Sequence, residues 1–181
     1  NPTVNSVQRD YMAGEVSRDL TKRLLLPQDI IEAHEQGIIH FHDADYFAQN
    51  ALHNCDLIDL EDMLQNGTSI NGVLIEKPHR FLTAMTIATQ IITAVNSSQY
   101  GGCTVTLTHL APFIRLSKEY YEKKYKARKL TKAQIEKFVK EDLAKEITDG
   151  VQTFQYQINS MTTTNGQAPF LSVCMYLGET D

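Results

Sequence analysis

Residues 80 to 100 set the terms on which this chain can fold. Phe81, Met85, Ala88, Ile92 and Val95 form one stripe at helical spacing, and Ile87, Ile91 and Ala94 widen it. A stripe that broad predicts a helix buried on most of its sides rather than one resting on a surface. Such a helix needs cover from several elements at once, and the remaining sequence can be read as that cover.

Tyr11 to Leu26 repeats Met12, Val16, Leu20 and Leu24 every four residues and predicts a helix, with Asn1 to Arg9 as a lead-in loop. Pro27 suits the first turn of a short helix that Gly37 closes, with Ile30, Ile31 and Ala33 inward. Asp59 can cap one or two helical turns that end at Asn66-Gly67. Thr68 to Glu76 reads as a loop or short strand, with Val73 and Ile75 on one face, broken by Pro78. Cys103 to Thr108 alternates Cys103, Val105 and Leu107 against three threonines and predicts a strand. Ala111 to Arg128 predicts a second long helix.

A third long helix has the sharpest start in the chain. Thr131 with Gln134 forms a capping box, and Leu130 with Ile135 a hydrophobic staple. It should run to about Asn159 with Ile135, Phe138, Leu143, Ile147, Val151, Phe154 and Ile158 inward and Gly150 as its weak point. A polar loop at Thr162 to Gln167 precedes a strand over Ala168 to Leu177, with Pro169 at its edge. The pattern is α/β, with too few strands to close a sheet on themselves. The fold is therefore expected to continue past Asp181, and the missing initial Met suggests numbering that starts inside a longer protein.

The chemistry concentrates between Ile38 and Asp62. In an extended chain alternate residues share a face. His40 and His42 then face one way, with Ile39 and Phe41 opposite. Asn54, Asp56 and Ile58 oppose His53, Cys55 and Leu57. This suggests a sheet with one face on a core and the other lining a cavity. His40, His42 and Cys55 admit three readings: a buried thiol with core histidines, a metal site, or a thiol with a redox or radical task. Spacing does not choose among them. No second spaced pair accompanies His40-x-His42, so no metal ligands are assigned.

Composition removes other classes. The 181 residues carry a net charge of −5, which disfavours nucleic acid as a partner. No apolar run nears the roughly 20 residues of a membrane span. Cysteines at 55, 103 and 174 are too scattered for a disulfide framework, so reduced thiols in the cytoplasm are expected. No glycine-rich phosphate loop is present.

Five segments together resemble one family. They are Gly37-Ile38-Ile39-His40-Phe41-His42-Asp43, the run from His53 to Leu64, Ser97-Ser98-Gln99-Tyr100-Gly101-Gly102, Leu110-Ala111-Pro112-Phe113 and Asn165-Gly166-Gln167-Ala168-Pro169-Phe170. In this order they are similar to the anaerobic (class III) ribonucleoside-triphosphate reductases. The resemblance implies a ten-stranded glycyl-radical-enzyme barrel, of which residues 1–181 would be the first half of a catalytic domain. A helical dimer and effector region would lie at about 80–160. It implies ribonucleoside triphosphate substrates, dNTP and ATP effectors, a homodimer and a radical-SAM activase. It also implies a glycyl radical and a zinc site outside this chain, no cofactor within it, and formate as reductant.

By its motif Cys55 matches the family's second active-site cysteine, and His40 could hold or relay a proton beside it. A thiol, with an ordinary pKa of about 8.5, suits proton donation to a departing ribose hydroxyl. The resemblance further implies substrate contacts at Asn54, Ser97 and Ser98, although Asn96 to Gly102 also reads as a plain helix stop. It places Glu76, Gln90 and Lys123 in the effector region, where the alternative for the lysine cluster is a solvated helix end. Cys103 and Cys174 match no role and read as core thiols. Two other functions stay open: a stand-alone deoxynucleotide-binding and dimerisation module, and an acyl-transferring enzyme like pyruvate formate-lyase. The second is disfavoured because that family uses two adjacent cysteines.

Overall fold

The computed structural model describes residues 5–49, 55–98, 101–163 and 168–176. Helix α1 (Asn5–Leu20) runs into a π-helical turn at Thr21–Leu25. It begins within the expected lead-in loop. No Pro or Gly interrupts residues 5–13, and a polar helical turn leaves no apolar rhythm in the sequence. The four-residue stripe of this helix is open, with Met12 and Val16 exposed. Helix α2 (Gln28–Glu35) follows Pro27 and buries Ile31, and Gly37 takes the positive φ of 72° past its end.

The strand expected at Ile38 to His42 does not form. The N–H groups of Ile38 and Ile39 both donate to Ala33 O, at 2.9 and 3.2 Å, and Phe41 N–H donates to His34 Nδ1 at 3.2 Å. With those donors taken, the segment cannot join a ladder. Asp43, left-handed at φ 56°, turns it into the single-turn helix α3 (Ala44–Phe47).

Strand β1 (Asp56–Ile58) precedes α4 (Leu60–Gln65), whose first turn is capped by Asp59 accepting from Asp62 N–H at 3.1 Å. β2 (Thr68–Ile70) and β3 (Val73–Ile75) form an antiparallel hairpin. Its two-residue turn is Asn71 at φ 53° and Gly72 at φ 78°, the positive pair that a twisted hairpin favours. Helix α5 (Phe81–Ser98) leads to β4 (Cys103–Thr106) and a 3-10 turn, Leu107–Leu110. Helices α6 (Ala111–Lys126) and α7 (Lys132–Ser160) and strand β5 (Leu171–Cys174) complete the order. The capping box at Thr131 and Gln134 is present.

β1, β4 and β5 form one parallel sheet in that order. Asp56 aligns with Cys103 and Leu171, and Ile58 with Val105 and Val173. The core lies where α5 meets this sheet: Met85, Ile91 and Ile92 pack in one cluster with Ile58, Cys103 and Val105, joined by Leu60, Leu64 and Phe113. Parallel strands need such cover, because each crossover lays a helix on a face.

A buried carboxylate ties the three long helices together. Glu146 on α7 is 4% exposed. It accepts from Arg80 Nη2 at 2.9 Å, Ser117 Oγ at 3.1 Å and Leu82 N–H at 3.2 Å. Ser117 in turn accepts from Phe81 N–H at 2.8 Å, so two orphan donors at the start of α5 are capped by α6 and α7. Arg80 also donates to the Tyr121 hydroxyl at 2.6 Å. Burial, with the Glu146 carboxylate beside it, pushes that phenol up to about 12. Burial pushes Glu146 upward as well, but the hydrogen bonds from Arg80, Leu82, Tyr121 and Ser117 outweigh it and hold the carboxyl below its ordinary range.

Gly150 is not a weak point of α7. A Cβ there would stand 2.7 Å from Phe81 Cε1 and 3.3 Å from Met85 Cγ, so α5 and α7 approach through the missing side chain. The inward stripe passes through Gly150 and leaves the neighbouring Val151 51% exposed, where it was expected inside.

Gly150→Ala separates helix propensity from packing. Propensity alone would stabilise by about 1 kcal/mol, whereas overpacking against Phe81 should destabilise by about 1–3 kcal/mol; the urea midpoint should fall. Glu146→Leu should cost about 1–3 kcal/mol by stranding buried donors. Because the folded carboxyl is depressed, Glu146 stabilises fully above its unfolded pKa of roughly 4.3. That contribution is lost as pH falls through the lower folded value. Urea unfolding from pH 6 to pH 3 should show less acid sensitivity in the leucine variant.

Candidate functional site

The parallel register sorts the sheet into two faces. Asp56, Ile58, Cys103 and Val105 belong to the face that meets α5. Leu57, Thr104, Thr106, Ser172 and Cys174 belong to the other by alternation. Leu57 is 86% exposed, so this second face is open. Cys55 directly precedes β1 and shares Leu57's parity. It is exposed. The stretch around Cys55 thus yields a sheet with one face on the core, as expected, but its other face, expected to line a cavity, is open at Leu57, and Thr104, Thr106 and Ser172 add hydroxyls to it. Those hydroxyls were not singled out as site residues, although the alternation of threonines through 103–108 is their signal.

The three thiols have different settings. Cys103 is sealed at 1% exposure, and its Sγ accepts from Asn96 Nδ2 at 2.7 Å. Burial pushes that thiol up against the pull of the Asn96 hydrogen bond, so it stays protonated and inert, the core thiol expected. Cys174 is half-buried at the opposite end of the open face from Cys55. It is not the core thiol expected, because its register partner is Thr106 rather than Val105. Strand geometry puts it on the order of 15 Å from Cys55, too far for a disulfide.

His40 and His42 are exposed, and they meet without a strand to place them. His42 Nδ1 lies 3.4 Å from His40 Nε2, and His42 Nε2 lies 3.2 Å from Asp43 Oδ1. The His34 and His40 rings are 5.5 Å apart. Burial raises the Asp43 carboxyl, opposed by the pull of His42. Among the described residues, no group of three or more His, Cys, Asp or Glu is arranged to hold a metal.

Of the other sequence-derived residues, Asn54 lies outside the described residues. The Ser97 hydroxyl donates to Thr93 O at 2.8 Å and that of Ser98 to Val95 O at 2.9 Å, both within their own helix, as a helix stop would have them. Gln90 and Ser97 line one cavity of about 370 Å³ with Asn71, Ile75 and Thr93, between α5 and the hairpin. A residue read as effector-binding and one read as substrate-binding thus share a pocket. Glu76 sits exposed just past β3, and Lys123 is exposed on α6, away from the lining of that cavity. A larger cavity of about 680 Å³ opens between α6 and α7, where Lys118, Lys126, Lys132 and Lys140, with Glu122 and Glu136 beside Lys126 and Lys132, surround Ile135 and Val139.

A helix-covered parallel sheet that seals one thiol and presents another beside hydroxyls places the chain among α/β proteins with an accessible cysteine. Comparison with known sequences makes this specific. The sequence profile of the anaerobic ribonucleoside-triphosphate reductases matches residues 1–181. The chain is 39% identical over 174 residues to the anaerobic ribonucleoside-triphosphate reductase of Haemophilus influenzae, covering 94% of this chain and 24% of that protein. It is 38% identical over 173 residues to the Escherichia coli enzyme of the same name, with the same coverage. To that of Enterobacteria phage T4 it is 36% identical, covering 28% of the relative. This chain belongs to the anaerobic ribonucleoside-triphosphate reductase family. It spans about a quarter of the length of these curated relatives. No helix among the described residues is long and apolar enough to cross a membrane.

The thiol settings predict an order of reactivity. With a thiol-reactive disulfide reagent on the native chain, Cys55 should label first, Cys174 more slowly and Cys103 only on unfolding. Peptide mapping of the labelled sites at successive times checks that order.

Proposed function

We propose that this chain is the first part of the catalytic domain of an anaerobic ribonucleoside-triphosphate reductase, with Cys55 as the thiol that works on the substrate ribose. The observation that carries the reading is the exposed Cys55 at the head of β1, on the open face of a sheet whose other face is packed under α5 at Ile58, Cys103 and Val105. A ribose losing its 2′-hydroxyl as water needs a proton on that oxygen. Cys55 Sγ–H supplies it, the thiolate left behind takes a proton back, and formate, oxidised to carbon dioxide, provides the two electrons that replace the C–O bond by C–H. His40 serves as the acid–base group for that proton. Thr104, Thr106 and Ser172 offer hydroxyls to a polar substrate on the same face. Asn54, Ser97 and Ser98 complete the proposed substrate contacts.

The wider features belong to the same proposal. The parallel sheet is part of a ten-stranded barrel, and residues 80–160 form a homodimer and effector region with Glu76, Gln90 and Lys123 toward dNTP or ATP. A radical-SAM activase is the proposed partner, and the setting is cytoplasmic. Radical initiation and the family's zinc are assigned outside residues 1–181, and no step is routed through them. A second reading, deoxynucleotide binding and dimerisation without catalysis, draws on the cavity between α6 and α7, where Lys118 and Lys140 stand beside the Lys126–Glu122 and Lys132–Glu136 pairs.

In the intact reductase, Cys55→Ser should lower deoxyribonucleotide formation by at least about three orders of magnitude, the scale expected when a proton-donating group acts as part of a unit. Binding of dATP or dTTP, followed by calorimetry, should stay at the wild-type level. Wild-type turnover in the serine variant would refute the assignment of Cys55.

A further inference from the structure

Helix α7 changes character at Gly150. From Lys132 to Asp149, nine of its eighteen residues are charged, and ion pairs such as Lys137–Glu141 lie on its surface. From Gly150 to Ser160 there is no Asp, Glu, Lys or Arg, and the next charge in the chain is Glu179. The inward side of this second half is accounted for. Gly150 admits Phe81, Phe154 and Ile158 pack against the core, and Gln157 accepts from the Thr89 hydroxyl. The opposite side has no such cover. Gln152, Gln155, Tyr156 and Asn159 fall at i, i+3, i+4 and i+7, one face of the helix, and all four are exposed, Tyr156 to 72%.

The solvent face of a surface helix ordinarily carries charge. A face without charges that leaves a large aromatic exposed has the composition of a protein–protein interface instead. The side chains of Gln152, Gln155 and Tyr156 make no hydrogen bond among the described residues. Asn159 Nδ2 donates to Gln155 O at 2.8 Å, which leaves its carbonyl oxygen to accept. Amide and phenol groups both donate and accept. Each can therefore pair with its own copy across a two-fold axis, which a lysine or a glutamate cannot. A shallow hollow of about 400 Å³ is lined by Gln152, Gln155, Tyr156, Asn159 and Ser160. A two-fold axis there sets the Tyr156 ring of each copy against the hollow of the other.

We propose that the outer face of Gly150–Ser160 is a seam against a second copy of this chain, with the two-fold axis at Gln155, the middle of the exposed row. This rests on the homodimer assigned above to residues 80–160 and narrows it. The charge-free half of α7 meets its copy, and the charged half stays in solvent. Where the two helices cross, Gln155 faces its own copy, and Gln152 of each copy approaches Asn159 of the other. No like charges are brought together, so the contact carries no repulsion. Cover by another part of the same polypeptide would not call for a row of groups that can all pair with themselves.

The test is sedimentation velocity on the intact reductase, with circular dichroism confirming the fold of each variant, so it needs no turnover and stands apart from the Cys55 assignment. The wild type should sediment as a dimer. Gln155→Lys and Gln155→Glu each set like charges across the axis and should raise the dimer Kd by at least about tenfold. Mixed in equal amounts, the two variants should recover the dimer, because lysine then meets glutamate. Lys137→Glu, on the charged half, should leave the dimer unchanged. Undisturbed dimers in both Gln155 variants would overturn the seam and leave the homodimer standing, whereas a monomeric wild type would overturn both. Weakened dimers in both variants with no recovery on mixing would also overturn it, and would assign this face to another part of the same polypeptide.

Discussion

The fold hangs on a carboxylate that reaches water only at its edge. Glu146 takes donors from α5 and α6 into one site on α7, and through it the start of α5 is fixed. Burying a charge without partners would be costly. Here the first two N–H groups of α5, Phe81 directly through Ser117 and Leu82 through Glu146 itself, have no helical acceptor of their own. The orphan ends of one helix and the desolvated charge of another satisfy each other. The position of α5 follows from that match, and the sheet follows from α5. Ile58, Cys103 and Val105 have only this helical layer to bury against among the described residues.

The same dependence explains which parts of the sequence were readable. Local signals were read correctly where the elements they define stabilise themselves. The capping box at Thr131 marked the start of α7, and the wide stripe of α5 announced burial on several sides. Signals that depend on a partner were misread. Gly150 looked like a flaw because propensity scores a helix alone, while its role is to let Phe81 approach. Val151 was placed inside for the same reason, since Gly150 already occupies the inward position. The Asn71-Gly72 turn was legible in principle, as Asn-Gly between apolar residues is a strong hairpin signal, but the strands it joins are three residues each and alternate weakly.

The histidine segment failed as a strand for a different reason. Alternation at Ile38 to His42 resembles a strand, yet its N–H groups fold back on α2 at Ala33 and His34. Periodicity reports which side chains prefer company and says nothing about where the main-chain donors go. The outcome still put His40 and His42 side by side, now through a turn set by the left-handed Asp43 rather than through a pleat. The pairing of the two rings was therefore reached from a wrong intermediate.

The separation of Cys55 from Cys103 shows how little freedom the parallel sheet has. Their strands are adjacent and parallel, and Cys103 aligns with Asp56, one residue after Cys55. Side chains alternate with a period of two, so a slip of one residue would bring Cys55 under α5 and push Asp56 to the open face. The slip is blocked on the helix side, where Ile58 and Val105 are buried at 6% and 1% in register with each other. Moving β1 by one residue would exchange Ile58 for Leu57 or for Asp59, the carboxylate that caps α4, and would turn Asp56 out of the core face. Apolar packing on the sealed face thereby decides which sulfur meets solvent on the other. The chemistry assigned to Cys55 is held in place by residues that never touch it.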